Sequence, residues 1–364
     1  MKVLHINCNY IGTTLHQLMI EELESLGVEN EVFVPTYDKN LSVIEVNSNV
    51  LVDECFSKWH RLFFDYKQHR ILKAIEKQYD ISSFDLIHAY TLFTDGNVAR
   101  VLSEKYDIPY VVAVRNTDVN AFFKTMIHLR KRGIRTMRRA KKVFFLSESY
   151  RKAVFEKYIP STFRAEIKRK TLIVPNGIDN FWFEHENIVN KCLTNEIKLI
   201  YAGVIDKNKN IETTQEAMRV LRNEGIETKL TVVGRVKDNA VYERIVKDQN
   251  TTVLSPVNKE KLIELYREAD IFVMPSYTES FGLVYVEAMS QGLPVVYSRG
   301  QGFDEQFNNG KVGYSVDAHS AQSVAEGIKN VINDYDVIHS DVVSSVRKFN
   351  WKEIVNYYYT IYCE

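Results

Sequence analysis

Short apolar runs rich in Val, Ile and Phe alternate along the chain with longer stretches whose apolar residues recur at helical spacing. This is the pattern of βαβ units around a parallel sheet. In the first half, strands are expected at Val3–Asn7, Glu31–Val34, Leu86–His88, Tyr110–Val114, Val143–Leu146 and Leu172–Val174. In the second half they are expected at Lys198–Ala202, Lys229–Val233, Thr252–Leu254, Ile271–Met274, Val295–Tyr297 and Gly313–Val316. Each half reads as its own doubly wound α/β domain. Pro175-Asn176-Gly177 closes the first series and the polar stretch Asn180–Asn195 precedes the second, which sets the boundary. The expected organisation is residues 1–176, residues 177–348, and a terminal helix over 349–364 with Trp351, Ile354, Tyr358 and Ile361 on one side.

Composition agrees with two cores. The chain has 364 residues, 45% hydrophobic and 26% charged, more than one ordinary core accommodates and well suited to two. The four cysteines stand apart with no C-x-x-C pair, so neither a zinc site nor a disulfide framework is indicated, and a reducing cytoplasm is the expected compartment. The apolar start Met1–Cys8 is too short for a signal peptide, and no run reaches the roughly 20 apolar residues of a membrane span. Net charge is zero but unevenly spread: 27 Lys and Arg against 20 Asp and Glu up to residue 176, and 20 against 27 beyond it. Either the first half faces something anionic or the two halves attract each other.

Candidate chemistry concentrates in Met274–Val296, which reads as strand, loop, helix and strand. Pro275 closes the strand, Ser280 is the expected N-cap, and Gly292-Leu293-Pro294 stops the helix. The helix is then expected to begin near Phe281, with the amides of Phe281, Gly282 and Leu283 facing the loop. Such a helix start carries about half a positive charge and suits a phosphate. Gly282 leaves room for a diphosphate beside the backbone. Glu279 precedes the helix and Glu287 lies within it, about 12 Å further along at helical rise. One nucleotide-sugar spans both, with one carboxylate for hydroxyls of the sugar and the other for those of the ribose. An isolated E-x7-E would more often be a cap and a surface charge.

The surrounding P-S-x-x-E-x-F-G-x-x-x-x-E-A-M-x-x-G-x-P-V-V resembles the signature of glycosyltransferase family 4. That resemblance implies a GT-B fold, two Rossmann-like domains facing each other across a deep cleft, and retaining transfer from a nucleotide-sugar. Tyr201–Asn210 looks like the family's first donor-domain strand and loop, in which Gly203 admits the phosphates and Lys209 neutralises them. Val204 stands where the family usually has a first cation. Gly234 and Arg235, after Val232-Val233, resemble the strand end near the base. Gly300–Glu305 resembles the glycine-rich turn near the donor sugar, Pro175–Asp179 the interdomain junction, and Phe349-Asn350-Trp351 the start of a helix that returns toward the first domain. On this resemblance Lys209 and Glu279 are the expected catalytic residues. The expected donor contacts are Gly203, Lys209, Gly234, Arg235, Ser280, Phe281, Gly282, Leu283 and Glu287.

The first half matches the family only loosely. Gly12 and Thr13, after the first strand, occupy the place where relatives bring a glycine loop to donor and acceptor. Arg115-Asn116-Thr117-Asp118 stands where many relatives carry His-Gly-Ser-Asp, so Asp118 matches and Arg115 does not. Arg115 is read either as a ligand for an acceptor phosphate or as a structural ion-pair partner. No metal or cofactor is expected; the single D-x-D, Asp334-Tyr335-Asp336, follows a helical pattern and reads as a solvated turn.

Lys124–Lys142 holds nine Lys or Arg and no Asp or Glu, interspersed with Met126, Ile127, Leu129, Ile134 and Met137. Together with Trp59, Leu62, Phe63, Phe64 and Tyr66 among Lys58, Arg61, Lys67 and Arg70, it is a candidate for peripheral contact with an anionic membrane. Such contact suits a lipid-diphosphate-linked glycan acceptor; core packing of the aromatics is the ordinary alternative. Nucleic acid is not an expected partner at a neutral pI, and the absence of a strand followed by G-x-G-x-x-G disfavours a dehydrogenase. A UDP-sugar is the first choice of donor and a GDP-sugar the second. A sugar-nucleotide epimerase, which turns over donor without acceptor, and a weakly catalytic nucleotide-sugar binder remain as alternatives.

Overall fold

The computed structural model describes residues 1–41, 45–187 and 191–364. The side chains of Arg61 and Leu62, and residues 188–190 of the polar stretch, lie outside the described residues. The chain divides into two units, Met1–Gly177 with Trp351–Glu364, and Ile178–Asn350.

The first unit holds seven strands: β1 (Lys2–Ile6), β2 (Glu29–Pro35), β3 (Val50–Asp53), β4 (Leu86–Ala89), β5 (Tyr110–Val114), β6 (Lys142–Phe145) and β7 (Thr171–Ile173). They pair in parallel in the order β3-β2-β1-β4-β5-β6-β7. Strand order reverses between β1 and β4, which opens a crevice beyond their carboxyl ends. β4 and β5 are buried throughout, as a strand covered on both faces must be, and this is why Tyr110–Val114 reads as an unbroken apolar run. β3 was not expected from the sequence; it is a four-residue edge strand paired only to β2.

One face of this sheet is unusually polar at its centre. His5 and His88 sit side by side in the β1–β4 register, fully buried. His5 Nδ1 meets the Tyr90 hydroxyl at 3.0 Å and its Nε2 the Asn30 carbonyl oxygen at 2.9 Å, while His88 Nδ1 meets the Tyr362 hydroxyl at 2.5 Å. Burial holds the imidazoles neutral, lowering His5 to about 4. Tyr362 belongs to the helix Trp351–Cys363, whose Trp351, Ile354, Tyr358 and Ile361 are buried in this core with Met19, Ile20 and Leu23.

The second unit holds β8 (Glu196–Ala202), β9 (Glu227–Val233), β10 (Thr251–Leu254), β11 (Ile271–Met274), β12 (Val295–Ser298) and β13 (Gly313–Val316). All are parallel, in the order β10-β9-β8-β11-β12-β13, and the reversal falls between β8 and β11. The polar stretch that sets the boundary between the two series begins with a short helix, Asn180–Glu184, which was not expected from the sequence and is capped by the Asp179 carboxylate on the Phe181 amide. Trp182 explains the correction: it is 2% exposed and lies against Tyr266.

The basic segment is divided by its packing. In the helix Arg130–Arg139, Ile134 and Met137 are buried, and Gly133 lets the backbone approach the Phe93 ring, where an added Cβ would lie 2.6 Å from Cζ. Leu129 is buried as well, whereas Ile127 is 65% exposed. Its cations meet carboxylates of the same unit: Arg132 with Asp65, Arg135 with Glu104, Arg138 with Glu166 and Lys142 with Glu364. Phe64 packs on Phe122, while Trp59 and Phe63 are 75% and 67% exposed. No helix among the described residues is long and apolar enough to cross a membrane.

Candidate functional site

The carboxyl ends of β8 and β11 flank the switch point of the second sheet, and the loops that leave them carry the expected motifs. Gly203 follows β8 with φ +151°, and Gly234 follows β9 with φ +159°. The two glycines touch: a Cβ on Gly234 would lie 1.7 Å from the Gly203 carbonyl oxygen. No side chain fits there, because the two loops pack backbone against backbone. The Tyr201 hydroxyl donates to the Val204 carbonyl at 2.7 Å and fixes the start of the loop. Val204 thus contributes a carbonyl where relatives place a cation. Arg235 is exposed, and its carbonyl accepts from the Ile205 amide at 2.9 Å.

Lys209 ends a single 3-10 turn, Lys207–Lys209, whose N-cap Asp206 accepts from the Lys209 amide. Its ammonium meets Glu279 Oε2 at 2.5 Å, with the two side chains 21% and 11% exposed. Residues seventy positions apart are therefore joined by one charge-assisted hydrogen bond. Asn208 seals the same junction with three bonds. Its Nδ2 donates to the Thr278 carbonyl at 2.8 Å, its Oδ1 accepts from the Thr278 amide at 3.0 Å, and its carbonyl accepts from the Tyr277 amide at 2.9 Å. Asn210 continues the seam, donating from Nδ2 to the carbonyls of Pro275 and Ala318.

The helix start differs from the expectation. The helix runs Leu283–Ser290, and its N-cap is Gly282, at φ +78° and ψ +61°, with Ser280 outside it. The physical reason is Tyr285. Its hydroxyl donates to the Met274 carbonyl at 2.6 Å, and its ring lies where a Cβ on residue 282 would sit, 2.3 Å from Cε2. Glycine is thus needed for both its handedness and its missing side chain. The Tyr285 amide already bonds to the Gly282 carbonyl, which leaves Leu283 and Val284 as the amides at the open end. Phe281 is 1% exposed and packs against Phe303 and Phe349, so it supports the loop from within. Glu279 Oε1 accepts from the Ser280 amide at 3.0 Å, and the Glu279 amide donates to Gln301 Oε1 at 3.0 Å. Gly302 closes this third loop onto the first two, since a Cβ there would meet the Ser280 carbonyl oxygen at 1.9 Å.

Glu287 lies five positions into the helix, so regular helical rise separates it from Leu283 by about 6 Å, and the 12 Å reckoned from Glu279 does not apply. It is partly buried, and burial pushes its carboxyl up to about 7, with Lys259 opposing and Asp179 adding to the shift. Those two form an ion pair of their own.

The expected residues of the first unit do not form a comparable cluster. Gly12 ends a 3-10 turn, is exposed, and has nothing within 4 Å of an added Cβ; Thr13 Oγ1 accepts from the Leu15 amide at 3.3 Å. Arg115 donates from Nη1 to Asn176 Oδ1 at 2.6 Å, and its Nε is buried without a hydrogen-bond partner among the described residues. Asp118 is fully buried and accepts from the amides of Leu92, Phe93 and Arg115 at 3.0, 3.2 and 2.9 Å. Burial raises its carboxyl to about 6 against the lowering effect of those bonds. It therefore acts as a backbone clamp between the loops after β4 and β5. A second clamp, Asp95, was not singled out from the sequence. It accepts from the Thr91 hydroxyl at 3.0 Å and the Cys8 amide at 3.3 Å, and burial pushes it up to about 7. The four-residue spacing from Thr91 to Asp95 was its only sequence signal. Asp334 of the D-x-D ends the helix Ala321–Asn333 and accepts from the Tyr314 hydroxyl. Among the described residues no group of three His, Cys, Asp or Glu is placed to hold a metal ion.

Known proteins share both the sequence pattern and the fold. The family described as glycosyl transferases group 1 matches residues 184–344, and that described as glycosyltransferase family 4 matches residues 12–180. A D-inositol 3-phosphate glycosyltransferase of Pseudarthrobacter chlorophenolicus is 34% identical over 144 residues, 37% of this chain and 34% of that protein, so the match spans about a third of that relative's length. Among solved structures, sucrose-phosphate synthase of Thermosynechococcus elongatus superposes with a TM-score of 0.78 at 18% identity, covering 100% of this chain and 98% of that one. HepE of Anabaena, solved in complex with UDP and glucose, gives 0.66 at 16% identity, covering 99% and 98%.

Proposed function

From the premise that the chain belongs to glycosyltransferase family 4 and has the GT-B fold, we propose that it transfers a sugar from a nucleotide-sugar to a glycan or lipid-linked glycan acceptor, with retention at the anomeric carbon. The observation that carries the proposal is the Lys209–Glu279 pair at 2.5 Å, set between two loops at the switch point of the second sheet. The neighbouring Gly203 and Gly234 have no room for side chains. An ammonium, a helix start and a bare backbone turn together make a diphosphate site.

In this proposal the donor diphosphate lies on the amides of Leu283 and Val284 and shares the Lys209 ammonium with Glu279. Glu287 accepts hydroxyls of the ribose, and Glu279 those of the sugar. As the bond between the anomeric carbon and the β-phosphate oxygen breaks, Lys209 and the helix start stabilise the charge that grows on that oxygen. The acceptor hydroxyl attacks from the same face, and the departing phosphate oxygen takes its proton. No metal ion takes part. The first unit supplies the acceptor side, where Arg115 and the loop at Gly12 and Thr13 are the nearest matches to the family, and Asp118 holds their surroundings. UDP is the proposed nucleotide, with GDP second; the HepE complex with UDP and glucose supports that order. Surface polysaccharide or glycoconjugate synthesis is the proposed setting, with peripheral contact of the cationic helix Arg130–Arg139 and exposed Ile127 at an anionic membrane.

Thermal shift with UDP-sugars and GDP-sugars, followed by nucleotide release with lipid extract as acceptor, tests the reading. Release without acceptor would favour an epimerase, and stabilisation without release a binding protein. The pH dependence supplies a sharper check. Since burial raises Glu287 to about 7, its stability contribution is present at acid pH and lost as pH rises through 7, when the carboxylate forms at a cost to the empty protein. Ribose hydroxyls donate to that carboxylate, so nucleotide affinity rises about three- to tenfold from pH 6 to pH 8. Glu287→Gln flattens this dependence in calorimetric titration; an unchanged profile in the variant removes Glu287 from the ribose.

A further inference from the structure

The first unit contains a cavity that the donor site leaves unused. It measures about 460 Å³ and lies among the helices Phe64–Gln78, Asp95–Tyr106 and Arg130–Arg139. Its most buried charged group is Arg100, 8% exposed, set among the buried Gln68 and Asn97. Nη1 of that guanidinium meets Glu104 at 2.6 Å and Nη2 donates to Asn97 Oδ1 at 3.1 Å, while Nε is buried and has no hydrogen-bond partner among the described residues. A buried donor left unmade is unfavourable by roughly 1–3 kcal/mol, more when it is charged, so it marks a place where an acceptor belongs. The surroundings hold the guanidinium in place: Asn97 Nδ2 donates to Gln68 Oε1 at 2.8 Å, and Gln68 Nε2 donates to the Thr94 carbonyl at 3.2 Å.

Charge around the cavity is one-sided. Arg100, Lys131, Arg132 and Arg135 line it, against Asp65 in the lining and Glu104 behind it. Arg132 is held by Asp65 and lies over the Phe64 ring, and Lys131 has no ion pair among the described residues. Four cations facing two carboxylates leave a surplus that matches a phosphate dianion. The remaining wall is hydrocarbon, from Leu72, Val98 and Val101. The volume falls within the range of small-molecule sites and far exceeds the share of one small anion. Phosphate alone would leave that wall facing water, and hydrocarbon alone would leave Arg100 unsatisfied.

We infer that this cavity binds the phosphate of an amphiphile, with the phosphate at Arg100 and Lys131 and the apolar portion along Leu72, Val98 and Val101. The site is carried by the first unit alone and does not rest on the proposed transferase reaction. The phosphate has two conceivable sources, a lipid headgroup in a membrane or a free phosphorylated metabolite with an apolar tail. The exposed Phe63 and Tyr66, on the chain beside the lining residues Asp65 and Gln68, favour the former.

The test is calorimetric titration of the full chain with dihexanoyl phosphatidate below its micelle concentration, beside inorganic phosphate, and flotation with vesicles of phosphatidylcholine alone or mixed with phosphatidate. One molecule of dihexanoyl phosphatidate should bind, at least about tenfold tighter than inorganic phosphate and more weakly as salt is raised. Leu72→Glu places a carboxylate on the apolar wall and Lys131→Glu reverses a rim charge. Lys131 is exposed and Leu72 half-buried at the edge of the core; each variant should lose at least about tenfold in affinity while keeping its nucleotide binding, and Lys131→Glu should keep its melting temperature as well. Arg100→Gln is the more direct change, and its melting curve shows whether the buried network survives it. Flotation that requires phosphatidate and is lost in Leu72→Glu assigns the site to a lipid, and binding of the soluble probe without flotation assigns it to a free amphiphile. Equal affinity in wild type, Leu72→Glu and Lys131→Glu, or no saturable binding of any probe, overturns the inference.

Discussion

Lys209→Ala lowers kcat by about 10²–10³-fold, with a smaller change in the affinity for nucleotide. The asymmetry follows from where the ammonium acts. It is held by Glu279 at 2.5 Å, so an entering diphosphate gains only part of its charge. As the bond to the anomeric carbon breaks, charge accumulates on the departing oxygen and the same ammonium meets a stronger acceptor, which is the condition for rate acceleration. The fold survives the change because Glu279 keeps its hydrogen bond from the Ser280 amide. Nucleotide release under saturating donor, read beside a melting curve, makes the measurement. Turnover near the wild-type value with Lys209 absent removes the residue from the chemistry.

Gly234→Ala acts through the fold of the site. Its Cβ would lie 1.7 Å from the Gly203 carbonyl oxygen and 2.7 Å from the carbonyl carbon, so the loops after β8 and β9 must separate. Backbone meets backbone here, and no flexible side chain can yield. A loss of at least about 3 kcal/mol is expected, enough to lower the melting temperature of the second unit by roughly 6–12 °C and to abolish nucleotide binding. Gly12→Ala is the control. It meets nothing within 4 Å, and its stability should stay within about 0.5 kcal/mol of the parent. Equal stability of Gly234→Ala and the parent would show that the two loops are not packed as described.

The sequence was most legible where a segment is buried on both faces. Tyr110–Val114 and Ile271–Met274 were found with their observed limits, because a two-faced strand must be apolar at every position. β3 was missed because four residues at a sheet edge, Val50–Asp53, carry too short a pattern to stand out. The helix Asn180–Glu184 was hidden by its polar neighbours, although Phe181 and Trp182 within it signal burial. The start of the helix after Thr278 was misplaced because Ser280 has a cap-forming side chain, whereas the actual cap, Gly282, is selected by the Tyr285 ring across the turn.

Within the site, residue types were easier to read than partnerships. Lys209 and Glu279 were both singled out, yet only the fold shows them bonded to each other, since strand order places the ends of β8 and β11 side by side. Asn208 and Gln301 escaped notice because their role, tying loops together through amides and carbonyls, leaves no spacing in the sequence. Asp118 fitted a family pattern, and its burial shows why an aspartate belongs there: three amides converge on one carboxylate. In the basic segment, several charges that stand apart along the chain are matched by acids from other helices.

A crystal structure of the protein soaked with UDP tests the central claim most directly. The expected result is a diphosphate between the Lys209 ammonium and the amides of Leu283 and Val284, with ribose hydroxyls on the Glu287 carboxylate. Density for UDP elsewhere, or Glu287 pointing to bulk water beside an empty loop, would contradict it.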